Sequence, residues 1–238
     1  MNPVKPKEMR ILTLNDVHKI YEETEVKVYA VNGVDLEFEK GEFAAIVGPS
    51  GSGKTTLLNM IGGLDQPTQG QIIINSTNIG ELKPSKMIDF RMYNIGFVFQ
   101  AYNLIPVLTA RENVEFIMHL QGRSKKEREA RSRELLEAVG LSDRMDSRPS
   151  KMSGGQQQRV AVARALASKP KFVLADEPTA NLDSKSTENL LDIMEKLNQD
   201  EQMTFIFSTH DSRVVKKAHR VITIEDGKVK SDELQKTD

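Results

Sequence analysis

Eight residues, Gly48-Pro49-Ser50-Gly51-Ser52-Gly53-Lys54-Thr55, constrain this chain more than any others. They fit the pattern G-x-x-x-x-G-K-[ST] and sit between an apolar run at 43–47 and Thr56-Leu57-Leu58, where a helical pattern begins. A strand, a glycine-rich turn and a helix in that order gather bare backbone N–H groups and the positive end of a helix dipole around one anion. In that arrangement Lys54 reaches the β and γ phosphates of a nucleotide, and Thr55 offers its hydroxyl to Mg²⁺. The motif calls for an α/β fold with phosphate held at the C-terminal edge of a mostly parallel sheet. It leaves open ATP or GTP, and kinase, switch or motor.

The rest of the chain supplies such a sheet. Short runs rich in Val, Ile and Phe at 43–47, 95–99, 172–175, 204–208 and 221–225, interleaved with turns and helical patterns, read as βαβ units. Ahead of them Val34, Leu36 and Phe38 alternate with Asp35 and Glu37, which predicts an antiparallel, half-exposed β flank at the N-terminus. From 109 to 139 the strand signal vanishes, and Val114, Ile117 and Leu120 recur at helical spacing in a charged background. The expected organisation is one domain over 1–238 with a helical subdomain inserted near 101–155. The charged stretch 123–134 reads as a solvated helix face held by i,i+4 pairs. The polar segment 230–238 reads as a frayed tail.

Charge and composition remove several classes. With 33 Lys+Arg against 34 Asp+Glu the net charge is -1, so no overall field holds nucleic acid or an anionic membrane. The chain has no cysteine, which excludes disulfides, thiolate catalysis and cysteine metal sites. No apolar run approaches the ~18 residues that span a bilayer, and residues 1–10 lack the apolar stretch of a secretory signal. The expectation is a cytoplasmic chain that a partner brings to a membrane.

The apolar run at 172–175 leads directly into Asp176-Glu177, so two carboxylates emerge at the sheet edge that carries the phosphate loop. One is needed to hold Mg²⁺ or its water, and the other can take a proton from an attacking water; Asp176 is assigned to the metal and Glu177 to the base. Gln100 closes the strand at 95–99 and His210 follows the one at 204–208, so both can reach the same edge. A glutamine there can orient water or ligate Mg²⁺, and a histidine can hydrogen-bond a γ-phosphate oxygen. Ser153 and two glycines at a helix start form a second anion site, with a hydroxyl, bare N–H groups and a favourable dipole.

Ser153-Gly154-Gly155-Gln156-Gln157, followed by Arg159 and a helical run at 160–167, resembles the signature of the ATP-binding cassette transporter ATPases. With the phosphate loop before it and Asp176-Glu177 after it, the order matches that family across most of the chain. The resemblance implies ATP and Mg²⁺ as cofactors and two ATPase subunits facing head to tail. The Ser153-Gly154-Gly155-Gln156 loop of one then covers ATP held by the phosphate loop of the other, and hydrolysis needs the dimer. It further implies that Gln100 contacts Mg²⁺ and senses the membrane partner, and that His210 is the switch histidine near the γ-phosphate. By the same resemblance Asp183, in Asn181-Leu182-Asp183, lies in the loop joining the two sites, and Tyr21 stacks on adenine.

Residues 153–160 and 176–183, with Gly63-Leu64-Asp65, are similar to the lipoprotein-release, macrolide-export and cell-division branch, whose ATPases pair with integral membrane permease subunits. Met152 stands where the family usually has leucine, and Ala180 where the branch often has glycine. The implied function is an ATP-hydrolysing subunit on the cytoplasmic face of the inner or plasma membrane, powering export or lipoprotein release. A cell-division-type switch and an importer ATPase are the alternatives; importers often carry an additional C-terminal domain, and 28 residues follow His210 here. Chromosome-organising ATPases with a similar signature need long coiled coils between Lys54 and Ser153, and the roughly 100 residues present leave no room for them.

Overall fold

Apolar runs without alternation form strands covered on both faces, and the central sheet is built from them. In the computed structural model, which describes residues 10–22 and 27–235, this sheet has the order β10(Lys228–Leu234), β9(Arg220–Glu225), β3(Phe43–Val47), β8(Thr204–Ser208), β7(Phe172–Asp176), β6(Ile95–Phe99). Every pairing is parallel except that of β10 with β9. Successive side chains feed opposite cores. Phe43 and Ala45 join Val98, Val173, Phe205 and Phe207 in one, while Ala44 and Ile46 join Leu174, Ile206 and Ile222 in the other. The fully buried Phe43, Phe205 and Phe207 rings lie 4.8, 5.7 and 6.0 Å apart, pair by pair. Burial of each contributes about 1.5–3 kcal/mol.

The N-terminal flank is a second sheet, antiparallel throughout, in the order β2(Val28–Glu39), β1(Arg10–Tyr21), β4(Gln69–Ile74), β5(Thr77–Asn78). Val34, Leu36 and Phe38 are buried and Asp35 and Glu37 exposed, as their alternation predicts. Its apolar face shares a core with Leu57, Met60 and Ile61 of α1(Lys54–Ile61).

No strand lies between β6 and β7 among the described residues. Instead α3(Ala110–Leu120), α4(Lys125–Ala138) and α5(Gly154–Ala167) each begin at a reciprocal cap, Thr109 with Glu112, Ser124 with Glu127, and Ser153 with Gln156. The buried Asn113 is fully satisfied: it accepts from Ile105 N–H and donates to the carbonyls of Ile105, Leu108 and Thr109, pinning the preceding loop. After β7 come α6(Ser184–Glu201) and α7(Ser212–Lys217).

Two expectations change. The charged face of α4 is only partly solvated. Lys125 and Glu129 pair across one turn at 3.7 Å, but Arg131 reaches Glu134, Leu166 O and Glu201 of α6, and Arg128 approaches Glu115 of α3. Long basic stems lie over the helical core while their heads bridge helices. Nor is the C-terminal segment frayed through residue 235. Asp226 and Gly227, at φ 50° and 72°, make the two-residue turn that suits a hairpin, so β10 pairs along β9, and Arg220 grips Asp232 at 2.6 and 2.7 Å. Residues 1–9 and 236–238, at the two polar ends, lie outside the described residues. An unforeseen helix, α2(Pro84–Asn94), has Pro in its first turn and no fully buried residue, so its apolar periodicity is weak.

Candidate functional site

The C-terminal ends of the parallel strands meet along one edge, where a cleft of about 830 Å³ opens. The phosphate loop, Gln100, Glu177 and His210 line it together with Tyr29 and Asp226. Two of the loop's glycines are fixed by packing: a Cβ on Gly48 would lie 2.0 Å from Ile224 O, and one on Gly53 2.0 Å from Ala30 O. Gly53, at φ 101°, is also the residue from which α1 starts. Lys54 is buried, and its Nζ donates to Gly48 O and Pro49 O, each at 2.8 Å. Ser52 Oγ is buried in the loop without a protein partner, a polar atom that a bound anion can satisfy.

Thr55 Oγ1 donates to Asp176 Oδ1 at 3.3 Å. Burial raises the Asp176 carboxyl above its ordinary range, opposed by the nearby Ser208 and Thr55 hydroxyls, of which Thr55 makes the hydrogen bond. Thr55 and Gln100 line the cleft and Asp176 touches Thr55, so the donors at this edge are oxygens, the set that Mg²⁺ takes.

Glu177 follows β7 with φ 45°, a left-handed conformation that side chains rarely adopt. Its N–H donates to Ser208 O at 2.9 Å, which pins this turn to β8. Its carboxylate is held at both oxygens: Oε1 shares a 2.6 Å hydrogen bond with His210 Nδ1, and Thr209 Oγ1 donates to Oε2 at 3.0 Å. Beyond His210, the Arg213 guanidinium, joined by Arg213 N–H and the Thr179 hydroxyl, holds the Asp211 carboxyl down at about 2 against partial burial. Asn181 Nδ2 donates to Gln100 O at 3.0 Å, tying the loop after β7 to the end of β6.

The structure therefore brings Lys54, Thr55, Gln100, Asp176, Glu177 and His210 to one edge. It does not bring the second glycine loop to them. Ser153, Gly155 and Gln156 border a separate cavity of about 210 Å³ with Arg159 and Ser186, sharing no residue with the cleft. Ser153 Oγ accepts from Gln156 N–H at 3.3 Å and Gln156 Oε1 accepts from Ser153 N–H at 2.9 Å, so the hydroxyl is engaged as a helix cap. A Cβ on Gly154 would meet Tyr102 Oη at 2.6 Å, and one on Gly155 Ser186 Oγ at 2.9 Å. Asp183 also serves as a cap, accepting Ser186 N–H at 2.9 Å and Ser186 Oγ at 2.6 Å at the start of α6.

Tyr21 is not part of the cleft lining. Its hydroxyl donates to Asp65 at 3.0 Å, its ring lies 5.0 Å from Lys19 Nζ, and it stands near Thr56, which does line the cleft. The tyrosine in the wall is Tyr29. Sequence reasoning missed it, along with Asp226 and Gly227. Gly227 N–H donates to Ser52 O at 3.1 Å and its carbonyl accepts Asn32 N–H at 2.8 Å, so the β9–β10 hairpin backs the phosphate loop. The Asp-Gly pair after an apolar run was the available signal; nothing local marks Tyr29.

A phosphate loop, a carboxylate pair at the strand end two places along the same sheet edge and a second glycine-led helix on another surface define a phosphate-loop ATPase. The chain belongs to the ABC transporter family, whose profile matches residues 31–180. It is 48% identical over 224 residues to an ABC transporter ATP-binding protein of Thermotoga maritima, covering 94% of this chain and 95% of that one. It is 46% identical over 221 residues to the lipoprotein-releasing system ATP-binding protein LolD 1 of Rhodopseudomonas palustris, covering 92% and 98%. Its fold matches the dimeric post-hydrolysis structure of the ATP-binding cassette MJ0796, bound to ADP and Pi, from Methanocaldococcus jannaschii, with TM-score 0.87, 42% identity and coverage of 96% and 100%. No helix among the described residues is long and apolar enough to cross a membrane.

Proposed function

We propose that this chain is the ATP-hydrolysing subunit of an export or lipoprotein-release complex, working as a homodimer beneath a membrane permease on its cytoplasmic face. The observation that carries this reading is the separation of the half-sites: Lys54, Gln100, Glu177 and His210 line one cavity, Ser153 and Gly155 another. Two chains set head to tail complete both.

In this reading the loop from Gly48 to Thr56 holds the phosphates through backbone N–H groups and the α1 dipole. Lys54 exchanges its bonds to Gly48 O and Pro49 O for β and γ phosphate oxygens. Thr55, Asp176 and Gln100 would hold Mg²⁺, which when bound neutralises phosphate oxygens. Glu177, oriented by Thr209 and His210, takes the proton of the attacking water. The His210 side chain, 76% exposed, is free to turn from Glu177 to the γ-phosphate. The partner's Ser153, Gly154, Gly155 and Gln156 close over that phosphate with the dipole of α5, and Asp183 lies along the same junction. Tyr21 and Tyr29 supply rings for the base.

A permease surface is supported by the exposed Leu64, Ile88, Tyr93, Phe116 and Leu120. The bonds Gln121 Nε2 to Met92 O and Arg91 Nη1 to Gly63 O draw together the elements that carry them. The test is a pull-down of the Glu177→Gln chain with ATP from its native membranes. Recovery of a permease with a large extracytoplasmic part supports the proposal. Recovery of division proteins in its place overturns it in favour of a switch.

A further inference from the structure

Gln158 lies on α5, one helical turn beyond the Ser153 cap, and its side chain is completely buried. Its Nε2 donates to two carbonyls, Pro178 O at 2.7 Å and Phe99 O at 3.3 Å. Pro178 follows Glu177 directly and Phe99 precedes Gln100 directly. Phe99 ends β6 and stands opposite Asp176, the last residue of the adjacent parallel β7, and Pro178 lies two residues beyond that strand. One carboxamide thus joins the helix of the second glycine loop to the chain at Gln100 and at Glu177.

The arrangement is costly in a way that packing does not explain. Gln158 Oε1 is buried with no partner, and a buried acceptor without a donor destabilises the fold. An apolar side chain of the same length would fill the space but leave Pro178 O and Phe99 O without this donor, so the bonds rather than the packing are what the site uses. Their direction is fixed as well, since two carbonyls require the amide nitrogen. Other contacts act on the same segment: Arg164 of α5 donates to Tyr102 O at 3.0 Å and to Asn103 O, and Asn181 Nδ2 to Gln100 O. Residues 99–103 are therefore tied to α5 at two heights, and of the two α5 side chains that do this Gln158 also bonds to Pro178, next to Glu177.

We infer that Gln158 is a positioning residue: it transmits engagement of the Ser153 loop by nucleotide to the ends of β6 and β7, setting Gln100 and Glu177 together. α5 is a rigid body, so a shift at its first turn is carried at once to the buried amide. The amide then moves two strand ends whose side chains meet the reacting phosphate. This inference rests on the hydrolytic assignment of Gln100 and Glu177 given above.

The test uses the full chain with Gln158→Met, near in size but without a donor, and, should the methionine variant not fold, Gln158→Asn, which keeps the amide but is too short to hold both carbonyls. ATP turnover, KM and thermal unfolding are measured for each, alone and with Gln100→Ala. A loss of positioning lowers kcat by about 10- to 100-fold with KM near that of the parent, measured well below the unfolding midpoint of each variant so that the fall is read on folded protein. Adding Gln100→Ala to Gln158→Met then costs little more, because the same geometry is already lost. A kcat within about twofold of the parent, a fall in kcat that only tracks loss of folded protein, or full multiplication of the two effects overturns the inference. Failure of the underlying assignment is seen separately, as unimpaired turnover in Glu177→Gln or Gln100→Ala alone.

Discussion

Glu177 combines a strained backbone with a carboxylate held at both oxygens, and the two facts belong together. The N–H bond to Ser208 O forces the left-handed turn, and that turn delivers the side chain to Thr209 and His210. Glu177→Gln keeps the shape but loses the base, so turnover falls by about 10²- to 10⁴-fold while ATP affinity is kept; equilibrium binding and single-turnover assays separate the two. Lys54→Ala removes the charge facing the phosphates, and nucleotide titration then shows loss of binding. Asp211 carries a pH dependence of defined sign. Its folded carboxyl sits at about 2, below the ordinary 3.8, so its contribution is full above the ordinary value and is lost as pH falls towards 2. Asp211→Asn is accordingly less stable than the parent at neutral pH, with the gap in unfolding midpoint closing in acid. The placement of Lys54, Asp176 and Glu177 at one sheet edge was legible because it is local: a turn and a strand end fix it. Tyr29 was not, since only the placement of β2 beside the phosphate loop puts it in the wall.

At the scale of elements, hydrophobic pattern settled what is buried and turn chemistry settled what pairs. The five core strands and the antiparallel flank follow from apolar runs and from the alternation of Val34, Leu36 and Phe38. The β10 strand was hidden because Lys230, Asp232 and Glu233 read as tail; its pairing depends on the Asp226-Gly227 turn and on Arg220 meeting Asp232. The α4 face misled for a related reason, as Arg131 reads as solvated yet bridges α4 to the ends of α5 and α6. The hairpin's place behind the loop gives a prediction. A Cβ on Gly227, at φ 72°, would lie 3.0 and 3.1 Å from Ala30 O and Tyr29 O. Gly227→Val therefore costs about 1–3 kcal/mol in strain and weakens ATP binding by disturbing the bond to Ser52 O. Thermal unfolding and nucleotide titration of the same variant measure both effects.

At the scale of the whole molecule the phosphate cleft and the Ser153 loop open on separate cavities, which on the proposed reading only a second chain joins. The sequence displays both motifs but not their separation, which depends on how α5 stands against the sheet. The most direct measurement is ATP hydrolysis by an equal mixture of two variants, Lys54→Ala and Ser153→Asp. Aspartate caps a helix as serine does, so α5 is kept while its charge opposes the γ-phosphate. Each variant alone has two defective composite sites, whereas a mixed dimer has one that is intact, pairing the normal phosphate loop of one chain with the normal Ser153 loop of the other. The account predicts that the mixture regains hydrolysis that neither variant shows alone; a mixture as inactive as its components would contradict it.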